Sequence, residues 1–429
     1  MMREPCIVRD IDDAQNKGAK REMMRSMFAG VSASRAHQAW MDVIGNNIAN
    51  VNTTAFKSGR VTFEEVLVQT LRGGSAPVQG GRGGINPMQV GLGISINSVD
   101  TDHTQGNTQP TEEPSDLAID GVGFFILDDG ERTCFTRNGS FRISADGTLV
   151  STAGYRVQGR QANPYTGVID RTIPIGDIKI LLGQVMEVSS TRNVSLRGNL
   201  DSMSNVGDTV SAPLHVYDSL GQIHLMNAEF EKLADNQWTW TLAEDSDPLN
   251  PIQTGTVDFT KGGKCSTEPQ EITYIPGGGA EAQTFMLDFS RITQFSETPM
   301  VSMSFQDGFQ AGTLETFNID ASGIITGIYS NGQQKVLGQI ELATFGNPVG
   351  LMRLGGGLYQ ISPNSGSMNA GEPGRHGRGK IISGALEMSN VDLAKQFTDM
   401  IISQRGFQAN SRVITTADEM LQDLLTLKR

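Results

Sequence analysis

The chain has 429 residues, more than one ordinary core accommodates, so several domains are expected. Its 38% hydrophobic content excludes disorder throughout, and 50 glycines against 16 prolines fit tight turns between short strands. A formal charge of −13 repels phosphate backbones and argues against nucleic acid as a partner.

No apolar run approaches the ~18 residues of a membrane span, so membrane insertion is not expected. Residues 1–22 are polar and mixed in charge, without the apolar region of a cleaved signal peptide. They read as an extension to a protein that starts at Met23 or Met24 and leaves the cell without a cleaved signal. Cys6, Cys134 and Cys265 are too sparse for a disulfide framework and lack zinc-ligand spacing. Cys134, beside Phe135, reads as core and Cys265 as a loop thiol.

A helical pattern opens at Met23-Met24. Heptad spacing from Met24 gives Met27, Val31, Ser34, Gln38, Met41, Gly45 and Ile48, with Ile44 alongside. This leaky coiled-coil seam predicts an amphipathic helix that ends near Asn50 to Asn52, where asparagine tolerates left-handed geometry. Gly73 to Gly93, with Pro77 and Pro87, reads as an extended connection.

Strand-then-turn units follow: Phe124–Leu127 before Asp128-Asp129-Gly130, and Phe141–Ile143 before Asp146-Gly147. Trp238 and Trp240 share one strand face and are expected in a core, and Asn331-Gly332 signals a hairpin. No helix-period segment appears from about residue 91 to about 380, so the middle is all-β.

A second glycine-rich connection from Gly355 to Gly384 precedes a long helix. Ser389 or Asn390 is its expected cap, with Asp392 in the first turn. Its predicted seam is Leu393, Phe397, Met400, Gln404, Phe407, Ser411, Ile414, Asp418, Leu421 and Leu425, joined by Ile401 and, toward the end, by Val413, Ala417 and Met420. The two helices would pair and leave apolar surface over, and self-assembly is its simplest use.

Catalysis finds no foothold: there is no phosphate-cradling loop, no H-E-x-x-H and no nucleophile elbow. The five histidines are scattered, and only His215 and His224 would lie on neighbouring strands, so no metal, cofactor or enzymatic activity is expected.

Met41-Asp-Val-Ile-Gly-Asn46-Asn47-Ile-Ala-Asn50, then Thr53-Thr-Ala55-Phe56-Lys57, resembles the N-terminal signature of the rod-and-hook axial proteins of the bacterial flagellum. Asp116–Phe125 and Phe135–Phe141 resemble the β-domain that this family shares. Ser383-Gly-Ala-Leu-Glu-Met-Ser-Asn390-Val-Asp392-Leu393 and Gln404-Arg405-Gly-Phe-Gln-Ala-Asn410 resemble its C-terminal signature. Ser211–Gly221, Gly327–Gly332 and Leu337–Phe345 are similar to the hook members, which carry an extra β-domain.

The resemblance implies a mainly β protein with long terminal helices and nested, discontinuous domains. A helix over 23–60 would pair with one over 386–429. Linkers over 61–90 and 371–385 would join them to a shared β-domain, 91–186 with 331–370, and an outer β-domain over 187–330 would be inserted into it. It also implies a hook subunit that self-assembles into a flexible curved tube joining rod to filament and transmitting torque. The implied partners are further copies, the rod, hook-cap and hook–filament junction proteins, and the flagellar export apparatus.

Two departures stand out. The family usually has glycine where Ala55 stands, and a left-handed alanine there would cost about 1 kcal/mol. The cysteine through which spirochaete members are cross-linked to a lysine falls near Gly198, so that bond is not expected here. The rival readings are a distal rod protein with an enlarged outer domain, and a secreted β-rich adhesin, which would need Trp238 and Trp240 exposed.

Overall fold

The computed structural model describes residues 6–77, 83–164, 166–245, 247, 249–277 and 279–426; the side chains of 6–23, Leu424 and Leu425 lie outside that description. The chain forms two compact units, one from residues up to 179 with 319–325 and 338 onward, the other from 180–318 with 326–337.

In the first unit, helix α1 runs over Cys6–Ala49. The helical pattern expected to open at Met23-Met24 is corrected: the helix already includes Cys6. Polarity alone does not break a helix, and residues 6–22 contain no proline. Its C-terminus lies just before the expected asparagines, where the Asn50 side-chain amide donates back to the Asn46 carbonyl at 2.9 Å. Helix α2 runs over Leu393–Thr426. Asp392 is its N-cap rather than part of its first turn: Oδ1 accepts the N–H groups of Ala394 and Lys395 at 2.9 and 3.2 Å.

The segment expected as a linker over 61–90 is a β-hairpin. Gly59–Glu65 pairs with Ile94–Thr101, and Val68–Arg72 pairs with Met88–Gly91. Its β-branched residues Val61, Thr62, Val68, Val90, Ile94 and Ile96 suit paired strands. Nor is 371–385 a free linker: Lys380–Ser383 pairs with Leu117–Asp120, and the next strand, Ala385–Glu387, pairs with Thr108–Pro110.

The β-domain of the first unit carries the predicted strand-then-turn units. Phe124–Asp128 pairs with Thr133–Thr136, and Asp129 turns the chain by accepting the N–H groups of Glu131 and Arg132. Phe124, Ile126, Phe135, Ala343, Leu351 and Tyr359 form its core, and Cys134 is buried as expected.

The second unit is a sandwich of two four-stranded sheets. One has the order Gln270–Tyr274, Gln283–Thr293, Asn193–Asn199, Met300–Gln306, its two central strands parallel. The other is the antiparallel run Thr209–Tyr217, Ile223–Ala234, Gln237–Glu244, Gln253–Asp258. Trp238 and Trp240 alternate inward into the shared core with Phe230, Phe285 and Phe289. Their burial removes the aromatic platform that the adhesin reading required. His215 faces Leu225 in the register while His224 faces Val216, so the two histidines fall on opposite faces of the sheet.

The insertion expected over 187–330 is therefore two pieces with different ends. The turn at Asp320–Gly323 stays with the first unit, where Gly323 O accepts Ile340 N–H and Ala321 O accepts Ile381 N–H. The Asn331-Gly332 turn belongs to the second, where the Asn331 amide donates to Gln310 O at 2.8 Å.

Candidate assembly interface

Helices α1 and α2 pack along a seam of small and amide side chains. On α2 the row Gln396, Ser403, Asn410, Ala417 repeats every seventh residue, and Gln396, Ser403 and Ala417 are buried. The predicted row Met400, Phe407, Ile414 and Leu421 flanks it, half-buried. The rest of the predicted seam is corrected: Phe397, Gln404 and Asp418 are exposed and Ser411 is half-buried, because the buried row is displaced by one residue. Leu425 lies outside the described side chains.

The displacement follows from close approach. A Cβ on Gly406 would sit 2.7 Å from the His37 ring, and one on Gly30 would sit 3.1 Å from the Ile414 side chain. Ser403 Oγ donates to the His37 carbonyl at 2.9 Å. On α1, Gly30, Ala36, Ile44 and Asn47 are buried, while Met27, Val31, Met41 and Ile48 are half-buried.

Asn47 joins three elements. Its amide donates to Gly59 O at 2.9 Å and Gln396 Oε1 at 3.0 Å, and its Oδ1 accepts Gly59 N–H at 2.9 Å. Asn390 does similar work at the other end of the loop, accepting Ser58 N–H at 2.8 Å and donating to Asp102 O at 2.9 Å. Between them Ala55 adopts φ 55°, the left-handed conformation that a family glycine would take without strain.

Lys57 enters the interior with no exposed surface. Its ammonium donates to Glu387 Oε1 at 2.6 Å and Thr104 O at 2.7 Å. Glu387 also accepts Gly106 N–H at 2.9 Å and lies 3.5 Å from Arg137, whose guanidinium donates to Gly121 O and stacks over Phe124. Burial lowers the pKa of Lys57 against the pull of Glu387, and burial likewise lowers that of Arg137. His103, against Phe124 and Tyr359, is pushed down to about 4 by burial and then by Lys57 and Arg137.

The structure thus brings together Asn47, Phe56, Lys57 and Asn390 from the predicted residues. Asn46 and Asn50 bond to each other beside them. Gln404 and Arg405 are exposed, and their side chains make no hydrogen bond or ion pair among the described residues. Glu387 and Arg137 complete the junction unforeseen; the available signal was a lone carboxylate in the otherwise apolar Ala385-Leu-Glu-Met388.

Gly198 has φ 146°, and a Cβ there would fall 2.0 Å from Met300 O, so this strand position admits no cysteine without backbone movement.

Family profiles match in four places. They are "Flagella basal body rod protein" over 27–57, "Flagellar hook protein FlgE/F/G D1 domain" over 118–196, "Flagellar basal body protein FlaE D2 domain" over 199–309 and "Flagellar basal body rod FlgEFG protein C-terminal" over 382–427. Both helices and both β-units are thereby those of a flagellar axial protein. The chain is 40% identical to the flagellar hook protein FlgE of Treponema pallidum and 41% to that of Borreliella burgdorferi, in each case over 95% of this chain and 100% of the relative. It is also 31% identical to the basal-body rod protein FlgG of Bacillus subtilis, over 95% and 100%. The crystal structure of Helicobacter pylori flagellar hook protein FlgE2 matches with a TM-score of 0.54 at 15% identity, over 65% of this chain and all of that one, a likeness of fold. The chain belongs to the flagellar hook protein family and is a structural subunit of the flagellar hook.

Proposed function

We propose that this subunit polymerises with copies of itself through the face of the helix pair that the α1–α2 seam leaves open, forming the flexible curved tube that joins rod to filament and transmits torque. The observation that carries this reading is the apolar surface left after pairing: Phe397, Ile401 and Ile402 on α2 and Phe28 on α1 are all more than half exposed. Their burial between copies would be favourable at about 25 cal/mol per Å² of apolar area.

Bending is then assigned to contacts between copies. Parts of the segments expected as flexible linkers are held in strands, Val68–Arg72 with Met88–Gly91 and Lys380–Ser383 with Leu117–Asp120. Export through the flagellar apparatus without a cleaved signal, and contact with rod, cap and junction proteins, belong to the same reading and rest on kinship.

Phe397→Asp with Ile401→Asp tests it. The double variant should keep the parent's circular dichroism and fail to form tubes by electron microscopy. Tubes at the parent's protein concentration would defeat the reading.

A further inference from the structure

Beside the junction lies a cleft of about 310 Å³ whose walls include Asn46, Thr54, Phe56, Asn138, Arg353 and Tyr359. Its lining contains no carboxylate, in a chain of net charge −13. Arg353 is exposed and stacks 5.3 Å over the Phe56 ring, and its guanidinium makes no hydrogen bond or ion pair among the described residues. Asn138 Oδ1 accepts Ser140 N–H and Asn46 Oδ1 accepts the Asn50 amide, while the NH₂ groups of Asn138 and Asn46 have no acceptor among the described residues. A guanidinium and two amides with open donors, on an aromatic floor, suit a carboxylate-bearing peptide segment. The rim at Gly355–Gly357 carries no side chain to obstruct one.

The same unit holds a matching segment. In Thr111-Glu112-Glu113-Pro114 both glutamates are exposed, and their carboxylates have no partner among the described residues. Glu112 adopts φ 65°, strained for a side chain of its type. The loop is clamped in that shape: Thr111 N–H donates to Gly384 O at 2.8 Å, and Ser383 Oγ donates to Pro114 O at 3.1 Å. Gly384 leads into the strand whose Glu387 grips Lys57, and Lys57 is itself part of the cleft wall. Within the first unit, cleft and loop are therefore separated by little more than the three-residue strand Ala385–Glu387.

Copies packed side by side through their helices bring equal levels together. From this we infer that the Arg353 cleft receives the Glu112–Glu113 loop of a neighbouring copy, a head-to-tail contact that repeats around a closed ring or helix. The inference rests on the polymerisation reading above.

Charge reversal tests it on full-length protein, with assembly followed by light scattering and electron microscopy. Arg353→Glu, and Glu112→Arg with Glu113→Arg, should each raise the concentration needed for assembly about tenfold, and their combination should return it to within about twofold of the parent. Arg353→Gln, which keeps the side chain's reach over Phe56, should give an intermediate loss if the charge matters. Unchanged assembly in the reversals, or a combination no better than either alone, overturns the cleft–loop contact. A parent protein that never polymerises overturns the assembly reading itself, and the contact with it.

Discussion

Lys57 and Glu387 lie 330 residues apart in sequence, yet their side chains meet at 2.6 Å with neither reaching solvent. With Arg137 they form a buried charge cluster in which one carboxylate serves two cations. Such a cluster adds little compared with an apolar replacement, but breaking it leaves charge stranded. Glu387→Ala should therefore cost about 3–5 kcal/mol in urea unfolding, because Lys57 and Arg137 both lose their counter-charge. Lys57→Met in the same protein should recover part of that loss. A Glu387→Ala variant within about 1 kcal/mol of the parent would show that water already reaches the cluster.

Ala55 sets strain against burial. Its left-handed φ of 55° costs about 1 kcal/mol, while its methyl group, 3% exposed, contributes about 0.8 kcal/mol by burial. Ala55→Gly should thus be close to neutral, within about 0.5 kcal/mol, since glycine also gains freedom in the unfolded chain. A stabilisation beyond about 1 kcal/mol would mean that the strain is released nowhere else in the loop.

Acid should weaken the junction through His103. Its folded pKa of about 4 lies below the ordinary 6.5, so the folded state binds its proton later than the unfolded chain does. Above pH 6.5 both states are neutral and His103 contributes no pH dependence; as pH falls from 6.5 toward 4 the unfolded chain takes up the proton first and stability declines. Burial of His37 lowers its pKa too and adds a decline of the same sign. His103→Leu should flatten the urea midpoint between pH 7 and about 4.5 relative to the parent. An unchanged slope would remove His103 as a source of acid sensitivity.

Limited trypsin digestion of dilute monomer should separate the helices from the junction. The open faces leave α2 dependent on neighbours, so Lys395, Arg405 and Arg412, all exposed, should be cut early and become protected in polymer. Lys57, with no exposed surface, should resist in both states. Cleavage after Lys57 as fast as after Arg405 would show that the junction opens together with the helices.

Much of this architecture was legible in the sequence, and particular residues show why the rest was not. The helices, the β middle and the inward Trp238 and Trp240 follow from periodicity alone. The buried row Gln396, Ser403 and Ala417 was hidden because close helix approach selects small side chains, which carry no hydrophobic signal. Glycines such as Gly73, Gly74, Gly83 and Gly84 disguised strands Val68–Arg72 and Met88–Gly91 as part of a connection. Nothing in Phe56-Lys57 reveals a buried lysine, since its counter-charge comes from the far end of the chain.

That distance also sets an order of events during synthesis. When Lys57 and Arg137 have been made, the ribosome must still read through the entire sandwich before Glu387 exists to neutralise them. The sandwich draws every strand from 193–306 and can close early on its own. The junction cannot, and its closure waits on a contact between residues 330 apart in sequence, a slow kind to find. A nascent subunit thus holds a finished sandwich while its junction is still open.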